Sequence, residues 1–98
     1  MFIAVYTFSV IPGKEQEFEE SWTERTIEIK ETYKSLGSRL HRASDGKYVG
    51  YAQWKSKQEW ETLQPSSTPS GSRMRACCTE ITTVFQLEVV KDLLEHIS

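Results

Sequence analysis

His41 and Arg39 stand two positions apart in Ser38 to Ala43, a segment of alternating character. His41 is the one strand-borne group that titrates near neutrality, so it can take or return a proton. Arg39 can hold a developing negative charge. Around them the sequence supplies rings: Trp54 ends the next alternating run, Trp22 precedes them and Trp60 follows. These rings can line a space above the strands. Gln53 and Tyr51 add an amide and a phenol. A metal centre is not expected. His41 and His96 are far apart, and the adjacent Cys77 and Cys78 match neither a zinc spacing nor an ordinary disulfide. The chain has no P-loop, dinucleotide glycine motif, nucleophile elbow or HExxH pair.

Each candidate has a plainer reading. An edge strand leaves His41 and Arg39 solvated, Trp22 and Trp60 serve as core, and His96 is incidental. Cys77 and Cys78, spaced with Met74 and Ile81 as on one helix face, act as small hydrophobes. Half of the chain's 14 acids fall between Glu15 and Glu31, the pattern of a solvated helix face.

The elements that must position these residues follow from periodicity. Phe2 to Val10 is β-branched and aromatic with apolar side chains on both faces, the mark of a central strand, and Pro12-Gly13 stops it. Phe18, Trp22, Thr26, Ile29 and Tyr33 then fall within a narrow arc of a helix over 14–34, with Gly37 as its breaker. Ser38 to Ala43 and Tyr48 to Trp54 flank Asp45-Gly46, which predicts a hairpin with a two-residue turn. Counted outward, that turn pairs Ala43 with Tyr48, His41 with Gly50 and Arg39 with Ala52. His41 and Arg39 then share a face with Trp54, above the small Gly50 and Ala52, while Tyr51 and Gln53 take the other face. Ser56-Lys57-Gln58-Glu59 caps a short helix through Trp60 and Leu63. Gln64 to Ser72 reads as a loop, Met74 to Ile81 as another helix, and Thr82 to Val90 as the last strand. Leu93, Leu94 and Ile97 form an apolar tail expected to be docked on something.

The expected fold class is α+β: ferredoxin-like βαββαβ, a four-stranded antiparallel sheet with helices on one face, in one domain over residues 1–98. Helices can cover only one side of a sheet whose first strand is apolar on both. The bare side therefore predicts an interface, most simply in a two-fold homodimer. The composition agrees with a globular chain: 38% hydrophobic, 27% charged, net charge -2. That balance argues against nucleic acid as a partner. No apolar run is long enough to span a membrane, and the cysteine usage suggests the cytoplasm.

Four features together carry a resemblance: a strand ending in Pro12-Gly13-Lys14, a Glu-rich helix with Phe18 and Trp22, the segment Gly37-Ser38-Arg39-Leu40-His41-Arg42, and Tyr51-Ala52-Gln53-Trp54 before a capped helix. In these the chain resembles antibiotic-biosynthesis monooxygenase-like proteins of the dimeric α+β barrel superfamily. The resemblance implies a dimer closed through a β-barrel, with a pocket in each protomer between sheet and helices. Some members oxidise aromatic polyketide-like substrates with dioxygen and no cofactor, others degrade haem, and many have no assigned activity. This chain has no Asn, a residue used in both branches. It also has no His in the second-helix region, only Arg73, Met74 and Arg75, and Leu63 stands where the haem branch carries a pocket Trp. Haem degradation is therefore not expected. The expectation is a cofactor-independent monooxygenase with His41 and Arg39 catalytic and Trp54, Trp22, Trp60, Gln53 and Tyr51 against the substrate. The alternatives are a non-catalytic ligand-binding or stress-associated dimer, and a cofactor-free isomerase or cyclase.

Overall fold

A computed structural model describes residues 1–63 and 68–94. Its elements are β1 (Phe2–Val10), α1 (Glu15–Tyr33), β2 (Gly37–Arg42), β3 (Tyr48–Trp54), α2 (Lys57–Glu61), α3 (Pro69–Ala76) and β4 (Cys78–Glu88). The strands form one antiparallel sheet in the order β2-β3-β1-β4. This is the ferredoxin-like arrangement, with β1 and β3 central. Among the described residues no helix is long and apolar enough to cross a membrane.

Local chemistry explains the boundaries. Gly13, at φ +90, turns the chain out of β1, and its N–H donates to Glu15 Oε1 at 2.7 Å, tying down the start of α1. The helix closes on Lys34 in the left-handed region, whereas Gly37, the expected breaker, opens β2. Ser56 accepts from the Glu59 N–H at 3.1 Å, the N-cap bond anticipated for α2. The start expected for α3 falls too late. Thr68 caps the helix through Gly71 N–H and Pro69 fills its first turn, so the helix begins inside the stretch read as loop. Residues 64–67 of that stretch lie outside the described set. The helix ends at Ala76, and Cys78 to Ile81, expected to be helical, already belong to β4. The sheet ladder from β1, which reaches Val10–Cys78, outweighs a four-residue helical pattern. Leu93 and Leu94 are 93% and 68% exposed, so within one chain the tail leaves most of its apolar surface open; Ile97 lies outside the described residues.

The hairpin departs from expectation by one residue, with a large consequence. Ala43 N–H bonds Lys47 O at 2.8 Å and Gly46 N–H bonds Ala43 O at 3.0 Å, with Gly46 at φ +90. The turn is therefore a three-residue loop whose glycine sits in the left-handed position. Pairing becomes Leu40–Gly50, Ser38–Ala52, His41–Val49 and Arg39–Tyr51. Since a one-residue slip inverts every side chain, His41 and Arg39 point away from Trp54, not alongside it. The physical reason is Leu40, the large apolar residue of β2, which packs against the Phe8–Phe18–Tyr48–Cys77 cluster. On the same face Arg42 lies over the Tyr48 ring, 4.8 Å from its centroid, and donates to its hydroxyl at 2.5 Å.

Two buried clusters form the core under the helices. One holds Phe2, Ala4, Ala52 and Trp54; the other holds Phe8, Phe18, Tyr48 and Cys77. Tyr6 touches both. Arg73 of α3 reaches Glu17, Glu20 and Glu24 of α1 at 3.3–3.9 Å, so part of the acidic run serves the seam between these helices. Glu28 continues that seam, accepting from Ser70 and, at 3.4 Å, from Thr68.

Candidate functional site

β3 alternates strictly: Tyr48, Gly50, Ala52 and Trp54 are buried toward the helices, while Val49, Tyr51 and Gln53 alternate with them. Gly50 and Ala52 are too small to fill the space above the strand. At Gly50 the opening is used at once, since an added Cβ would come within 3.1 Å of the Phe8 ring and 3.8 Å of Trp22 Nε1. Between sheet and helices lies a cavity of about 550 Å³. That is ample for a ligand of two or three fused rings.

Its walls come from every layer. The sheet contributes Tyr6, Phe8, Gly50, Ala52 and Trp54, α1 contributes Trp22, Arg25, Thr26 and Ile29, and α2 contributes Trp60 and Glu61. Gly71, Met74 and Arg75 close the α3 side, with Leu63 and Ile81 beyond. Trp22 of α1 meets Trp54 and Trp60 here. Tyr51 also borders the cavity, although strand parity sends its side chain to the opposite face with Gln53. There the two line a smaller hollow of about 360 Å³ with Met1, Leu93 and Leu94. His41 and Arg39 line neither cavity. Both are exposed, and His41 Nδ1 lies 3.2 Å from Val49 O. The predicted partnership of His41 and Arg39 with the tryptophans is therefore not formed within one chain.

The polar groups that do reach the cavity are others. Arg25 is 8% exposed and lines the cavity together with the aromatic residues. Its signal in the sequence was a charged residue inside an apolar stripe, three after Trp22 and four before Ile29. Tyr6 Oη accepts a 2.6 Å hydrogen bond from Trp60 Nε1. Burial pushes the Tyr6 phenol above its usual range, and the indole bond offsets part of that rise. Trp54, 1% exposed, keeps an indole N–H with no acceptor among the described residues. Leaving such a donor unpaired costs about 1–3 kcal/mol. Glu61 is the carboxylate of the lining. Farther along the sheet, the Tyr48 hydroxyl donates to Glu19 at 2.5 Å; desolvation first, and then the bond to Glu19, raises its pKa, and Arg42 opposes.

Burial raises both thiols, Cys78 to about 11, which keeps them protonated at neutral pH. Among the described residues the lining offers neither His nor Cys as an axial ligand for haem, and His41 lies on the other side of the sheet.

Comparison with solved structures shows the same fold. A proposed antibiotic biosynthesis monooxygenase from Deinococcus radiodurans superposes with a TM-score of 0.75 at 12% identity, covering 98% of this chain and 99% of that one. SnoaB, a cofactor-independent oxygenase from Streptomyces nogalater solved as a point mutant, gives 0.72 at 21% identity over 96% and 97%. The heme-degrader MhuD from Mycobacterium tuberculosis, with two hemes bound in its active site, gives 0.69 at 19% identity over 95% and 99%. No curated protein sequence matches the chain significantly. The family model for antibiotic biosynthesis monooxygenase matches residues 1–67, more than half of the sequence, and the chain belongs to that family.

Proposed function

We propose that the protein is a cofactor-independent monooxygenase of a small aromatic substrate, a quinol, anthrone or polyketide-like ring system, working as a homodimer of one domain over residues 1–98. The observation that carries this reading is the cavity itself: three tryptophans, Tyr6 and Phe8 around a buried Arg25. Rings of that kind bind a flat substrate. The cation of Arg25 and the hydroxyl of Tyr6 favour its phenolate or enolate over the neutral form. The electron-rich anion is the reductant for dioxygen. For an anthrone the balance closes without a cofactor: the ring CH₂ becomes C=O, one oxygen atom stays in the product and the other leaves as water. The substrate proton passes to Glu61 or to water at the mouth. The apolar walls keep bulk water from the reactive anion.

This reading takes His41 and Arg39 out of the catalytic role. It retains Trp22, Trp54 and Trp60 as substrate contacts and drops Gln53 and Tyr51, which lie on the bare face, from that role. That face carries Val5, Tyr51, Phe85 and Leu87, the last two 56% and 43% exposed. A second copy laid sheet to sheet would bury them, as the family resemblance implies.

The test is oxygen uptake with a panel of anthrones and quinols. Activity should fall in Arg25→Met and Tyr6→Phe and persist in the Arg39→Ala/His41→Ala double variant. Loss in the double variant with retention in Arg25→Met would overturn the assignment. Ligands that quench tryptophan fluorescence without oxygen consumption would favour the binding protein, and product formed without oxygen consumption the isomerase or cyclase.

A further inference from the structure

Tyr6 and Trp60 face each other across the cavity wall, and the direction of their hydrogen bond is unambiguous because an indole N–H can only donate. A phenol hydrogen prefers the plane of its ring and has two positions there. The Trp60 N–H, 2.6 Å from Tyr6 Oη, takes up one side of the oxygen. The hydroxyl hydrogen is left the other, and among the described residues it meets no acceptor. We propose that Trp60 is a positioning residue that holds the Tyr6 hydroxyl as a ready donor to an oxyanion of the bound aromatic ligand.

Three further observations support the device. The Trp60 ring packs on Phe2 with centroids 5.3 Å apart, so the donor is anchored in the core, not left on a mobile rotamer. Tyr6 pairs with Gly50, which leaves its ring without a cross-strand side chain on that flank. Both residues line the large cavity. Accepting one hydrogen bond also strengthens the next one donated, so the indole both aims the hydroxyl and makes it a better donor. A clasp that merely pinned α2 to the sheet would have no bearing on the ionisation of a ligand.

The inference rests on the cavity being the aromatic site proposed above, and its test separates the two. The probe is 4-nitrophenol, whose phenolate is coloured, with 4-nitroanisole as the analogue that cannot ionise. In the wild type, bound 4-nitrophenol should ionise at lower pH than in water. Tyr6→Phe should reduce its ionisation constant about tenfold, as expected for losing a hydrogen bond to a charged group. Trp60→Phe, which keeps a ring on Phe2, should reduce it about threefold, in each variant a larger loss than any change in the affinity for 4-nitroanisole. If Trp60→Phe or Tyr6→Phe ionises the bound phenol as readily as the wild type does, the positioning role is refuted while the aromatic site stands. If neither probe binds the wild type, the reading of the cavity fails and this inference with it.

Discussion

Toward the helices β3 presents Tyr48, Gly50, Ala52 and Trp54; toward the other side the same strand presents Val49, Tyr51 and Gln53. The first face is covered yet hollow, because two small residues sit beneath rings that span the gap without filling it. The second is apolar yet bare: β4 lines it with Phe85 and Leu87, and no described helix crosses it. Burial supplied by the chain itself encloses a ligand-sized space. Burial that must come from outside leaves a surface for a partner. On the proposed function, one sheet serves two recognition tasks, kept apart by strand parity.

The sharpest test contrasts one phenylalanine from each face. Phe18 is fully buried between Phe8 and Tyr48, with ring centroids 5.1 and 4.9 Å away. Phe18→Ala should cost about 3–5 kcal/mol in urea denaturation at any protein concentration. Phe85→Ala should change the intrinsic stability far less but weaken self-association, so its melting temperature should fall toward that of the lone monomer and lose the concentration dependence that association gives the wild type. Equal, concentration-independent losses in both variants would erase the distinction between the faces.

The next test concerns ligand affinity. A guanidinium contact to an anion is worth about 1.5–3 kcal/mol, or about 10–100-fold. Arg25→Met should weaken binding of 2-naphthoate by that factor, read from tryptophan quenching. Arg39→Ala/His41→Ala, altered on the bare face, should leave it unchanged. A reversed result would place the ligand on the wrong side of the sheet.

Why the sequence misplaced those two residues is instructive. Element types were legible wherever periodicity was long: β1, α1 and β3 stand as their patterns require, and the Ser56 cap opens α2. The cluster of Trp22, Trp54 and Trp60 also followed from the topology. What escaped was parity. Asp45-Gly46 is equally compatible with a two-residue turn and with the last two positions of a three-residue turn, and only the packing of Leu40 against the core decides between them. That single residue of slack moved His41 and Arg39 to the other face. Arg25 was hidden for the opposite reason. Its position on the stripe was legible, but a charge there reads as an interruption until the cavity beside it is seen. The start of α3 was missed because proline and serine suggest a loop, although Thr68 and Pro69 serve equally well as a helix N-terminus.

The turn itself offers a smaller perturbation. Gly46 holds φ +90, where a Cβ is strained even though no atom lies within 4 Å of it. Gly46→Ala should cost about 1–2 kcal/mol, and hydrogen exchange should rise first at Ala43 and Lys47, the pair that closes the loop. Uniform exchange across the sheet would mean that the loop does not set the register.

The smallest effect is expected at alkaline pH, and it too belongs to one face. Tyr6 and Tyr48 both point toward the helices, and desolvation is the leading cause that raises each phenol above 10. An unfolded tyrosine releases its proton near pH 10, while these two keep theirs to higher pH. Over that window the folded chain binds more protons, so stability falls as pH rises through it and is fully present below. Cys78, moved from 9.0 to about 11, acts in the same sense starting about one unit lower. Urea denaturation from about pH 8 to 11 should therefore show a decline that Tyr6→Phe makes shallower above pH 10 and Cys78→Ser makes shallower from pH 9. If wild type and Tyr6→Phe decline in parallel, Tyr6 is hydrated. The cavity would then be wet at the point where the proposed chemistry needs it dry.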